Sequence, residues 1–213
     1  MNPAIEQPVQ LHGKLEYLYR KGAVGPLAER AYSRILEANP DLHALEDKLV
    51  HIANENASLR SRFSKILRFA DVISAAVAPQ AGCSKGCASC CHISVGISGA
   101  EAQIIGMAIG VKPATGVSSN GDRDALVKHY FGQPCPFLAN QECSIYAHRP
   151  VACRLHFTLD RDDYFCRTSI APEDSMVPNL NLDSYWMIYG LIAAQMSRDE
   201  GDIRQFFPQG SQS

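Results

Sequence analysis

Leu59, Phe63, Ile66, Ala70, Ile73 and Val77 recur at intervals of three and four, which places them along one face of an α-helix. Arg60, Arg62, Lys65 and Arg68 fall on the other face. With no aromatic side chain interleaved, they read as a solvated surface rather than a nucleic-acid contact. Pro79 ends the pattern, and residues 1–80 read as helical. Further on, Ser98-Gly-Ala-Glu101 has the spacing of a capping box and predicts a helix running through Met107. Lys112–Asp122 is a loop by composition, and a short helix is expected from Asp124 to Tyr130. Phe137-Leu138 and Ser144-Ile145-Tyr146 flank a polar turn and predict a small hairpin. Pro150 suits the first position of a helical turn that carries Cys153. A last helix is expected from about Leu182 to Ser197, with Tyr185, Trp186, Ile188 and Tyr189 directed at a core. The fold class is therefore mainly α, with an irregular cysteine-rich region packed on helices and at most a small β-hairpin. The divisions are residues 1–80, helical; 81–170, cysteine-rich; and 171–213, a C-terminal helix and tail, together forming one compact domain.

Composition sharpens this picture. The chain has 213 residues, 46% hydrophobic and 20% charged, enough for a packed core. A net charge of -2 argues against holding nucleic acid by phosphate neutralisation. MNPAIEQPVQLHGKLEY lacks a basic segment followed by an apolar run, so no secretory signal is read there. The apolar stretch Tyr185–Met196 is too short for a bilayer. The expected location is cytoplasmic, without a membrane partner. In that compartment clustered cysteines bind metal or do redox chemistry more often than they form disulfides.

The cysteines are where the chemistry lies. Cys83, Cys87, Cys90 and Cys91 crowd into nine positions, and Cys135, Cys143, Cys153 and Cys166 follow. Spacings of two or three residues let a tight turn point two thiolates at one centre. Gly82 and Gly86 offer positive φ, turning backbone amides toward sulfur. Adjacent side chains diverge, so Cys90 and Cys91 are expected to split between two centres or to leave one of the pair spare. Lys85, Arg149, Arg154 and Arg167 lie within a few residues of a cysteine and would offset thiolate charge. His92, His148 and His156 also adjoin cysteines, but with so many thiols available they are not needed as ligands. Cys83-x3-Cys87-x2-Cys90 has the spacing of radical S-adenosylmethionine enzymes. Ser89 before the third cysteine, the helical residues upstream and the short chain all argue against that reading.

Cys83-Ser-Lys-Gly-Cys87-Ala-Ser-Cys90-Cys91, Cys135-Pro-Phe-Leu138, Cys143-Ser-Ile-Tyr146, Arg149-Pro-Val-Ala-Cys153-Arg154 and Cys166 follow one order. That order resembles the YkgJ-type cysteine-cluster proteins, relatives of the bacterial flagellin lysine N-methylase. The first spacer is three residues here, where many members have two. The resemblance implies a bound metal on the eight cysteines, with iron–sulfur and zinc both proposed for the family. The leading expectation is an iron–sulfur centre, most simply 4Fe-4S, in electron transfer or redox sensing with an unidentified protein or redox partner. The alternatives are a zinc-stabilised binding scaffold and a protein-modifying enzyme related to the methylase. Enzymatic activity itself is left open.

Overall fold

The computed structural model describes residues 8–83, 86–119 and 121–209. Three helices form the first half: α1 (Pro8–Ala38), α2 (Leu45–Asn54) and α3 (Leu59–Val77). Ser58 caps α3 by accepting the Ser61 N–H at 3.2 Å. The expected apolar stripe of α3 is buried from Phe63 to Val77, with Leu59 at its margin. Of its basic face, Arg60 and Arg68 are exposed as expected, while Arg62 donates to the Ala53 carbonyl and Lys65 pairs with Glu55, closing the turn between α2 and α3. Pro79 lies in a single 3-10 turn, Ala78–Gln80, that leads out of α3.

After the first cysteines come β1 (Gly96–Ser98), α4 (Gly99–Ile109) and α5 (Arg123–Tyr130), the last two matching the expected helices. The hairpin is present but shorter and shifted from the expected residues. Its strands are β2 (Leu138–Ala139) and β3 (Glu142–Cys143), with Leu138 opposite Cys143. Asn140 and Gln141 have φ of 51° and 64°, the left-handed pair that a two-residue turn requires. A short helix α6 (Val151–Arg154) carries Cys153, and Pro150 is its N-cap rather than its first residue. The chain ends with α7 (Asp183–Met196), β4 (Glu200–Asp202) and α8 (Ile203–Phe206). Sequence periodicity did not single out β1, β4 or α8, which are too short to show a period. β1 and β4 pair antiparallel, Ile97 opposite Gly201.

Two apolar clusters result. In the larger, Phe63, Ile66 and Ile73 of α3 pack with Leu49 of α2, Ile35 of α1 and Tyr185, Ile188 and Ile192 of α7. The Tyr185 hydroxyl donates to the Ile66 carbonyl at 2.8 Å. Trp186, expected in the core, is 39% exposed, because α7 buries only the face that carries Tyr185 and Ile188. The smaller cluster joins Val95, Ile97, Ile105, Phe137, Ile145 and Ile203 with Phe206 and Phe207. Cys135, Cys143 and Cys153 pack against it, so the second core is also the wall of the cysteine region. Arg20 of α1 reaches Asp162 at 2.8 Å and stacks 4.3 Å over the Tyr164 ring, binding the N-terminal helix to the loop before Cys166. Among the described residues no helix is long and apolar enough to cross a membrane.

Candidate metal centre

Every cysteine except Cys166 lines one cavity of about 560 Å³. All eight are free thiols; Cys83 is exposed and the other seven are partly buried. Short turns aim them. Ser89–His92 is a 3-10 turn closed by the Cys91 N–H on the Ala88 carbonyl at 2.9 Å. The Cys135 N–H donates to the Cys91 carbonyl at 2.7 Å, laying the second cysteine loop against the first. Cys143 comes from the hairpin, and Cys153 from α6.

Cys90 and Cys91 sit side by side in the Ser89–His92 turn, and both line the cavity. Interaction with Cys91 holds the Cys90 thiol below the ordinary range, and interaction with Cys90 together with burial pushes Cys91 well above it. The Arg149 charge also helps to lower Cys90.

Thiol-to-thiol electrostatics outline two neighbourhoods with Cys90 between them. Cys166 is pushed up to about 12, first by burial and then by Cys83, Cys87 and Cys90. Cys83 is raised by burial and by the same neighbours, Cys87 and Cys90. Burial lifts Cys153 well above its ordinary value, with Cys90, Cys135 and Cys143 adding to the shift. Cys91 feels Cys90, Cys135 and Cys153. So many thiols raising one another is a site that favours deprotonation only when cations offset it. Among the described residues, no three Cys, His, Asp or Glu side chains converge closely enough to hold one ion as they stand.

The flanking polar groups divide by role. Arg149 faces Cys90 and Cys143, as the expected charge offset requires. Arg167 instead binds Asp163 at 2.8 Å, and Arg154 binds Asp71. Lys85 lies outside the described residues. Asp163 was not singled out in the sequence; it accepts the Ser89 hydroxyl at 3.0 Å and stands 4.0 Å from the Cys87 sulfur, so it ties the first loop to that of Cys166. His92 is 3.1 Å from the Ala88 carbonyl and His148 is exposed. His156 lines the cavity with a buried Nε2 that has no hydrogen-bond partner among the described residues, and burial holds the ring toward its neutral form. Glu101 is only half of the expected capping box. Ser98 accepts the Glu101 N–H at 3.2 Å, but the Glu101 carboxylate turns away to the Val151 N–H and the Tyr189 hydroxyl, both at 2.7 Å. It therefore anchors the start of α6, the helix that carries Cys153.

The cavity is thus ringed by seven of the eight thiols, with Arg149 beside Cys90 and Cys143. Soft sulfur donors suit zinc, copper(I) and iron–sulfur centres. Residues 82–170 match the family model described as "CxxCxxCC: Putative zinc- or iron-chelating domain". The YkgJ-type resemblance thus holds across the cysteine region, and the match supports metal binding there while naming zinc and iron alike. No curated protein and no solved structure matches the chain.

Proposed function

We propose that the cysteine region carries an iron–sulfur centre, most simply a 4Fe-4S cluster, and serves electron transfer or redox sensing in the cytoplasm with a protein redox partner. The observation that carries this reading is the arrangement of the thiols around a cavity of about 560 Å³ instead of about a point. A single zinc ion needs four donors within about 2.3 Å of one centre. A cluster spreads its cysteine ligands over several irons and needs room between them. Arg149 beside Cys90 and Cys143 supplies positive charge for such a thiolate set.

Protein isolated without oxygen is expected to be brown, to contain iron and acid-labile sulfide, and to bleach when dithionite is added. Colourless protein holding stoichiometric zinc would replace this reading with the zinc scaffold.

A further inference from the structure

Arg204 lies beyond the residues of the family match, on the last short helix, and its side chain is only 9% exposed. Its guanidinium reaches four main-chain carbonyls on two separate loops. On the first loop these are Ile93 at 3.2 Å and Cys91 at 3.5 Å. On the second they are Gln133 at 2.6 Å and Pro134 at 3.2 Å. The Tyr130 ring lies 5.0 Å from the guanidinium carbon. Asp202, which is fully buried, holds the arginine at 3.0 Å and also accepts the Ser94 hydroxyl at 2.9 Å and the Val95 N–H at 2.7 Å. A guanidinium offers five donors in a fixed plane, so one side chain can span carbonyls that a lysine ammonium would reach only in part.

We infer that Arg204 is the positioning residue for the Cys91 and Cys135 side of the metal centre, clamping the two cysteine loops together and holding a positive charge behind them. This rests on the reading of the cysteines as metal ligands. The clamp acts on the loops themselves: the carbonyl of Cys91 takes both the Arg204 guanidinium and the Cys135 N–H. Without it the two loops keep the Cys135–Cys91 and Gly132–His92 backbone bonds but lose their shared anchor to β4 and α8. Groups that orient ligands from behind are worth about 10- to 100-fold in metal affinity.

The test is an anaerobic cobalt(II) titration of the full metal-free chain, following the thiolate-to-cobalt charge-transfer absorption. The wild type, Arg204→Met, Arg204→Lys and Arg123→Met are compared. Arg123 is an 80% exposed arginine paired with Glu200 on β4, and its replacement controls for a general loss of charge near that strand. Arg204→Met is expected to lower cobalt affinity at least about tenfold and to weaken the charge-transfer band at saturation. Arg204→Lys should restore less than half of the lost affinity, and Arg123→Met should match the wild type. If Arg204→Met gave the wild-type affinity and band, or lost only thermal stability with the band unchanged, the inference would be overturned. If Arg204→Met does not fold, Arg204→Lys decides: wild-type affinity and band in that variant overturn the clamp. A wild-type chain that binds no cobalt and no other metal contradicts the metal reading itself, a separate failure.

Discussion

Glu101 shows how much one side chain can carry. It is 3% exposed, and its two oxygens serve α6 and α7 at once. Burial pushes its carboxyl above the ordinary range, while the Val151 N–H, the Tyr189 hydroxyl and the Arg154 charge pull it back. A carboxyl raised above its unfolded value of about 4.3 adds stability that is present below that pH and is lost as pH rises through the folded value. Glu101→Gln stays neutral, so wild-type stability should fall relative to the variant across that window. Urea midpoints for both proteins between about pH 4 and about pH 7 check the sign. Glu101→Ala should cost about 1–3 kcal/mol at the acid end and less as pH rises through that window, because the buried Val151 N–H loses its acceptor. The spacing of Ser98 and Glu101 in the sequence announced the helix start but not this second duty. The partner of the carboxylate is 50 residues away in the chain, and local spacing carries no information about it.

Individual segments separate local rules from tertiary ones in a different way. Gly86 has φ of +86°, the positive value expected of it. Gly82 has no such φ among the described residues and is needed for close approach instead. A Cβ there would strike the Asp160 carbonyl oxygen and fall 2.8 Å from the Asp162 nitrogen, both main-chain atoms that cannot move aside cheaply. Gly82 also donates its N–H to the Thr158 carbonyl at 2.8 Å, so the first cysteine loop leans directly on the segment leading to Cys166. Gly82→Ala is therefore expected to separate these two segments and destabilise the protein by about 1–3 kcal/mol. Alanine at Gly86 should act through backbone strain alone and cost about 1 kcal/mol. Thermal melts of the two variants should rank Gly82→Ala as the more damaging, and the reverse order would contradict the contact. The helix α3 needed no such context, since a six-residue stripe with spacing of three and four has one physical solution.

Across the whole molecule, the two apolar clusters differ in what they depend on. The larger one joins α1, α2, α3 and α7 with Ala100 of α4 and with Val151 and Leu155 around α6, and has no cysteine in it, while the smaller one has Cys135, Cys143 and Cys153 along its edge. On the proposed reading, metal binding on those thiols would become folding free energy for the second cluster more than for the first. Anaerobic chelation should accelerate amide hydrogen exchange around residues 86–92 and 132–146 while α3 and α7 keep their protection. Uniform loss of protection along the chain, or none anywhere, would contradict this division.

The sequence by itself determined the elements whose causes are local: the α3 stripe, the start of α4, the turn residues of the hairpin region and the grouping of eight thiols with the order of a metal-chelating family. Only the tertiary structure decided what those thiols face. The place of Asp163 beneath Cys87 and the carbonyls gathered by Arg204 both join residues whose meeting depends on how helices and turns stack. Periodicity reports which face of an element is buried, because water and apolar surface act on each residue along the same repeat. Which distant group then meets that face depends on the path of the chain through space, and no short window of residues encodes it.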